Sequence, residues 1–209
     1  MCTSLTSVTI PDSVTIISNC AFNDCSSLAS ITIPESVTTI RDHAFYGCSS
    51  LTSIIIPDSV KNLGVGLFCD CTNLASITVP DSITSIGNNM FLRCASLISF
   101  TIPDGVTNIG DYAFGGCVGL RSVTIPDSVT TIGGSAFGSC DSLTSIIIPD
   151  EVVRIESGTF GYCVSLESVE IGESVTYIGS TAFAGCSSLE SVVIPENVIY
   201  IYDGAFESC

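Results

Sequence analysis

A strict repeat of 23 residues constrains the fold of this chain more than any other feature. Ten cysteines follow this interval from Cys2 to Cys209, and nine leucines, Leu5 to Leu189, stand three residues after a cysteine. Columns of serine, β-branched residues, proline and phenylalanine keep the same step. A unit this short cannot bury its own apolar face, so identical units must stack to form a continuous core. The sequence therefore predicts one repeat solenoid of nine repeats over residues 1–209.

Each repeat encodes two extended segments. In Leu-x-Ser-Val-Thr-Ile, β-branched residues alternate with polar ones, which favours a strand whose Val and Ile side chains point inward. The following proline, acidic residue and serine predict a tight turn that ends this strand. Val-Thr-x-Ile-Gly then predicts a second short extended piece, and Ala-Phe suits a helical turn or an irregular loop. Too few residues remain for a long helix.

The full motif, Cys-x-x-Leu-x-Ser-Val-x-Ile-Pro-x-x-Val-x-x-Ile-Gly-x-x-Ala-Phe, resembles the leucine-rich repeats of treponemal and BspA-like surface proteins. The resemblance covers residues 2–209 and implies a right-handed, curved array with a parallel β-sheet on its concave face. It also implies an extracellular or cell-surface location and a role in adhesion to host or matrix proteins. Single repeats depart from the motif at Leu67, Met90, Phe100, Thr159 and Gly172.

Charge and hydropathy exclude several kinds of partner. The chain carries 21 acidic and 5 basic residues, a net charge of −16, so it lacks the basic face that nucleic acid or an anionic membrane requires. No apolar run approaches the roughly 20 residues of a membrane span, and residues 1–9 do not read as a signal peptide. Because neither end has an atypical capping repeat, we expect a segment of a longer array, with ends that favour end-to-end self-association.

The 12 cysteines first suggest disulfides or a zinc site. Zinc ligands come in close pairs, but the repeats supply no second pair in step with Cys20 and Cys25 or with Cys69 and Cys71. Stacked cysteines would lie about 5 Å apart, and a disulfide between them would require rotation of a packed turn because they point the same way. We therefore expect free, buried thiols that act as small apolar fillers.

Cys20 stands outside this ladder and shares its column with His43 of the next repeat. An adjacent imidazole can lower the pKa of a thiol and activate it as a nucleophile. The alternative is a chance polar pair at variable positions, and we favour it because nothing else in the sequence resembles an oxyanion hole or a pocket.

Two outward columns are nearly uniform. The serines before the inward Val or Ile, Ser7 to Ser191, are expected to form a hydrogen-bonding ladder along the sheet. The acidic residues after the proline, Asp12 to Glu196, supply nine of the 21 carboxylates and are expected to accept turn N–H groups. Calcium binding is the alternative for this column, but one carboxylate per repeat is few and the Gly-rich calcium-binding repeat is absent.

Specificity for one partner over another must come from positions at which the repeats differ. Two such columns flank the serine, one directly before it and one two residues after it. They predict a mildly apolar surface that becomes acidic toward the C-terminus, although a bland solvated sheet face is the alternative. The candidate partner-binding residues are Ile55, Thr78, Ile98, Thr101, Arg121, Thr124, Ile147, Glu167, Glu170, Glu190 and Val193.

Three functions remain open at this point. The first is a non-enzymatic scaffold that binds a protein or glycan through the exposed strand positions, with host and matrix molecules as candidate ligands. The second is a structural spacer in a larger protein, and the third is a divalent-cation-dependent adhesion module. We expect no catalytic, cofactor or metal site, because one histidine, few basic residues and no phosphate-binding loop leave little chemistry to assemble.

Overall fold

The chain folds into a parallel β-solenoid whose coils are the sequence repeats. The computed structural model describes residues 2–209. Within that range it contains fifteen short strands joined by turns. The same residues form no helix long and apolar enough to cross a membrane. This architecture confirms the predicted repeat array.

The strands, numbered in chain order, form two rows along the solenoid. The first strand row begins at the serine column and consists of β3 (Ser53–Ile55), β5 (Ser76–Thr78), β7 (Ser99–Thr101), β9 (Ser122–Thr124), β11 (Ser145–Ile148) and β13 (Ser168–Ile171). The second strand row consists of β1 (Ile16–Ile17), β2 (Thr39–Ile40), β4 (Asn62–Leu63), β6 (Ser85–Ile86), β8 (Asn108–Ile109), β10 (Thr131–Ile132), β12 (Arg154–Ile155), β14 (Tyr177–Ile178) and β15 (Tyr200–Ile201).

Pairing between coils is parallel and offset by one repeat. Ser53 pairs with Ser76 in the first row, and Ile155 pairs with Ile178 in the second. Near the N-terminus the first row is reduced to a single bridge between Thr9 and Thr32. Both predicted extended segments are therefore confirmed, and each column of the sequence becomes a line of neighbouring residues along the solenoid.

The turn after the first strand is closed by a hydrogen bond across the proline. The Val14 N–H donates to the Pro11 carbonyl at 3.0 Å, and Val60 and Pro57 repeat the contact. The serine in this turn also ties two coils together: Ser36 Oγ donates to the carbonyl of Val14 at 2.7 Å.

The Ala-Phe segment is a series of turns with two left-handed residues in each repeat. Twelve non-glycine residues and six glycines have φ between 51° and 72°. These residues prevent the segment from continuing as a right-handed helix.

The core is a single apolar column enclosed by the two rows and the Ala-Phe turns. Its central feature is a stack of phenylalanines, in which consecutive rings from Phe22 to Phe206 lie 5.2 to 5.9 Å apart. Phe100, an exception in the strand column, packs at an angle against Phe91 and Phe114. Each aromatic pair contributes about 0.5–1.5 kcal/mol beyond its buried area, so the stack links every coil to the next.

Candidate functional site

All the predicted partner-binding residues are exposed on the outer side of the first strand row and its entrance. We call this surface the first-row face; it comprises Ile55, Thr78, Ile98, Thr101, Arg121, Thr124, Ile147, Glu167, Glu170, Glu190 and Val193. The inward neighbours of the strand residues, such as Ile54 and Ile146, are buried in the core. The rigid alternation of the strand therefore holds the variable side chains in solvent.

Three aliphatic residues stand out on this face. Ile55 is 69% exposed, Ile147 is 61% exposed and Val193 is 84% exposed, and all three occupy the outward strand column. Ile147 pairs in register with Glu170, and Val193 follows Glu170 by one repeat. Two aliphatic side chains therefore flank one carboxylate in a single row.

A shallow groove of about 520 Å³ lies at the end of this row. Ile147 and Val193 line it together with the carboxylates of Asp150, Glu170 and Glu173. Asp150 Oδ1 accepts the Glu173 N–H at 2.9 Å, which fixes one carboxylate at the rim.

Gly172, which replaces the column proline, lies in the same groove. A Cβ atom at this position would lie 2.5 Å from the Pro149 carbonyl oxygen. Glycine thus permits a close approach of the two coils that any side chain would block.

The two uniform columns behave differently from the expectation. Within residues 2–209 the serines of the first strand row make no side-chain hydrogen bond, so the predicted serine ladder is wrong. The serines of the proline turn make the inter-coil bonds instead, as Ser59 Oγ does to the Val37 carbonyl at 2.7 Å. The first-row serines are exposed on strands whose backbone groups already pair.

The carboxylate column does not gather into a metal site. Across residues 2–209 no group of three or more His, Cys, Asp or Glu side chains is placed to hold a metal ion. The reason is geometric, because each repeat adds one carboxylate to a straight line. Only Asp150 in this column accepts a backbone N–H within the described residues.

The cysteine ladder is free and mostly buried, as expected, but it does more than fill space. Nine of the twelve thiols are buried, and Cys2, Cys20 and Cys209 are exposed. Each ladder sulfur from Cys48 onward donates to the phenylalanine carbonyl 26 residues earlier, as Cys117 Sγ does to Phe91 at 3.1 Å. Burial raises the pKa of the Cys48, Cys117 and Cys163 thiols to about 12, so these groups stay protonated at neutral pH.

Cys20 and His43 share a column in adjacent coils, but their side chains are not arranged as a dyad. Both residues are left-handed, with φ of 56° and 55°, and the Cys20 N–H donates to the Asp42 carbonyl. The His43 ring lies over Gly66 of the following coil, where a Cβ atom would come within 2.7 Å of Nε2. The imidazole is thus directed away from Cys20, and the geometry does not assemble an activated thiol.

The structure reveals a cluster on the second strand row that the sequence interpretation missed. The Arg154 guanidinium lies 3.7 Å from the centre of the Tyr177 ring, and the Tyr177 and Tyr202 rings are 4.6 Å apart. The exposed Tyr200 ring extends the cluster, 6.0 Å from that of Tyr202. A signal for it exists in the column of Asn108, Thr131, Arg154, Tyr177 and Tyr200, which is as variable as the columns of the first-row face.

Comparisons with known proteins agree on one family. The model of the BspA type leucine-rich repeat region matches residues 1–121 and 84–209 in six copies. A crystal structure of a leucine-rich repeat protein from T. pallidum aligns with a TM-score of 0.73 at 34% identity, covering 77% of this chain and 78% of that one. No match is found among curated proteins.

Two further solved structures share the fold, and one of them is a cell surface protein. A leucine-rich cell surface protein from Faecalibacterium prausnitzii aligns with a TM-score of 0.61 at 31% identity, over 99% of this chain and 72% of that one. A pneumococcal vaccine antigen aligns with a TM-score of 0.66 over 92% of this chain and 57% of that one, and at 20% identity it shows the fold alone. Repeat length, fold and family match lead to one conclusion: the chain belongs to the BspA type leucine-rich repeat family.

Proposed function

We propose that this chain is a non-enzymatic, ligand-binding part of an extracellular or cell-surface protein and that it holds a protein segment on the first-row face. The observation that carries the proposal is the row of Ile147, Glu170 and Val193, in which two exposed aliphatic side chains flank a carboxylate beside a groove. The likeness to a cell surface protein at 31% identity supports the location.

The chemistry of this row favours a basic, amphipathic segment as ligand. Aliphatic side chains of the ligand would pack on Ile147 and Val193, and a lysine or arginine between them would meet Glu170. Glu167 and Glu190 add negative charge in the neighbouring column. The face has few amide or aromatic side chains, so a glycan is the weaker candidate for it.

The test measures binding of two synthetic 12-residue peptides, one that alternates lysine and valine and one that alternates glutamate and valine. We expect the basic peptide to bind, its affinity to fall with added salt, and the Ile147→Ser/Glu170→Gln/Val193→Ser variant to lose at least about tenfold in Kd. The matched control, Ile16→Ser/Thr39→Ser, changes the second strand row and should bind normally.

Two outcomes would overturn the proposal. Equal binding of the acidic peptide would show that the row has no charge preference. Unchanged binding by the triple variant would place the ligand on another surface, and the absence of binding by either peptide would favour the spacer function. End-to-end self-association and cation-dependent adhesion stay predictions. Sedimentation at several concentrations would test the first, and adhesion measured with and without a chelator would test the second.

A further inference from the structure

A second groove lies beside the second strand row, on a different side of the coil from the first-row face. Its volume is about 590 Å³, within the roughly 300–1,000 Å³ typical of small-molecule sites. Gly110 and Gly133 of the glycine column line its floor, and Arg154 and Glu156 stand at one end. A Cβ atom at Gly133 would lie 2.5 Å from the Asp111 nitrogen, so the floor cannot carry side chains there.

The end wall of the groove comes from the repeat of residues 140–162, which departs from its neighbour at successive outward positions. It has Glu151, Val153, Arg154 and Glu156 where the preceding repeat has Ser128, Thr130, Thr131 and Gly133. All four of the departing residues line the groove. Stacking of the core does not require these changes, because none of the four side chains is buried. Their convergence on one groove indicates a binding role.

The polar side chains along the groove are held in place and still have binding capacity. Asn108 Oδ1 accepts from the Thr131 hydroxyl at 2.5 Å, and Asn88 Oδ1 accepts from the Asp111 N–H at 3.0 Å. Asp111 Oδ1 in turn accepts from the Gly134 N–H at 2.8 Å. Within residues 2–209, the Nδ2 groups of both asparagines and the second oxygen of Asp111 have no partner. They are oriented before a ligand arrives.

Arg154 is oriented in the same way. Its Nε donates to Glu156 Oε1 at 2.9 Å, and its guanidinium plane lies over the Tyr177 ring. The fork is thus fixed by two contacts, and its terminal N–H groups remain available as donors at the groove.

We propose that this groove binds a neutral saccharide. Each sugar hydroxyl both donates and accepts, which matches a lining that alternates donors (Asn88, Asn108 and Arg154) with acceptors (Asp111 and Glu156). Carboxylates outnumber the single guanidinium, which disfavours an anionic ligand. The Arg154 guanidinium lines the groove itself, and its positive charge disfavours a cationic ligand.

The experiment screens the full chain on an array of neutral oligosaccharides built from glucose, galactose, mannose and N-acetylglucosamine. The best array member is then titrated by calorimetry. We expect binding by the native chain and a loss of at least about tenfold in Kd for Asn108→Ala, because one oriented hydrogen bond per sugar is removed. Thr131→Trp, which fills the groove from an exposed strand position, should abolish binding.

Matched variants at Asn62, two repeats from Asn108 and three from Thr131, serve as controls. Asn62→Ala and Asn62→Trp change the same column outside the groove and should bind the sugar as the native chain does. An empty array, or a Thr131→Trp variant that still binds, would overturn the proposal. The Ile147→Ser/Glu170→Gln/Val193→Ser variant should keep its sugar affinity. The saccharide proposal and the protein-binding proposal are therefore tested independently.

Discussion

The repeating cysteine shows how one residue type meets two demands at the same position. The turn before the leucine has room for only a small side chain, and the phenylalanine carbonyl of the previous coil points into that space. A thiol fills the volume and donates a weak hydrogen bond, as Cys140 Sγ does to Phe114 at 3.3 Å. Alanine would leave this carbonyl without its side-chain donor.

The buried thiols predict a loss of stability in alkali. The pKa of Cys117 rises from 9.0 to about 12 because burial penalises the thiolate. The folded pKa is the higher one, so the contribution of the thiol is fully present below pH 9 and is lost as the pH rises toward 12. Above pH 9 we expect the free energy of unfolding to fall by about 1.4 kcal/mol per pH unit for each such thiol. Urea titrations from pH 8 to 11 under reducing conditions would measure this fall.

Two single variants test the cause of this effect. Cys117→Ala should remove the contribution of one thiol to the slope, whereas Thr124→Ala, which removes no titratable group, should leave the slope unchanged. Constant stability up to pH 11 would contradict the prediction.

The sequence predicted that the thiols are free, but it did not predict that they donate hydrogen bonds to phenylalanine carbonyls. The spacing of Cys25 and Cys48 shows that the side chains stack, and it carries no information on the carbonyl that faces them. The Cys20–His43 hypothesis failed for a similar reason, since a shared column does not reveal that His43 turns toward Gly66.

At the scale of the element, the Ala-Phe turn depends on two left-handed residues in each coil. Only six of these eighteen positions are glycine, although glycine alone adopts this conformation without strain. The sequence did not predict the conformation, because a column that holds His43, Tyr112 and Gly158 has no glycine signature. Backbone hydrogen bonds to the next coil, such as Tyr112 N–H to Gly134, hold these residues in place.

The strain can be relieved by one substitution. Thr181 is β-branched and has φ of 55°, so Thr181→Gly should raise the free energy of unfolding by about 1 kcal/mol. The matched change Thr124→Gly, in strand β9, should lower the free energy of unfolding by about 1 kcal/mol. Thr124 is in an extended conformation, so glycine relieves no strain there and only weakens the strand. Both values come from urea unfolding, and equal destabilisation by the two variants would refute the account.

At the scale of the whole molecule, the net charge of −16 has a defined distribution. The carboxylates after the proline form a line of exposed like charges, one per coil. Within residues 2–209 the two ion pairs, Arg93–Asp70 and Arg154–Glu156, lie outside this line. Folding brings these charges closer together than in the unfolded chain, so repulsion opposes the folded state.

Salt should therefore stabilise the protein. From 0.01 to 0.5 M NaCl we expect the free energy of unfolding to rise by about 1–3 kcal/mol, because screening acts within a few ångströms at the higher concentration. The variant Asp58→Asn/Asp81→Asn/Asp104→Asn should show a smaller rise. A decrease of stability with salt would show that attraction, and not repulsion, dominates the surface.

The solenoid and the exposed first-row face follow from periodicity, because a fixed repeat turns sequence columns into spatial rows. The second groove does not follow from it. Its wall requires Arg154 and Glu156 to be seen together with the glycine floor, and the depth of the groove between them is visible only in the structure.

The hydrogen bonds of the cysteine and turn-serine side chains follow the order of the chain, and therefore the order of its synthesis. Cys48, Ser36 and Ser59 all donate to carbonyls of the coil that precedes them in the chain. During synthesis each new coil therefore finds its acceptors already presented by the coil that left the ribosome before it. Each new coil can therefore add to the one before it, and it supplies in return the carbonyls that complete the earlier Ala-Phe turn, as Gly134 does for the Tyr112 N–H.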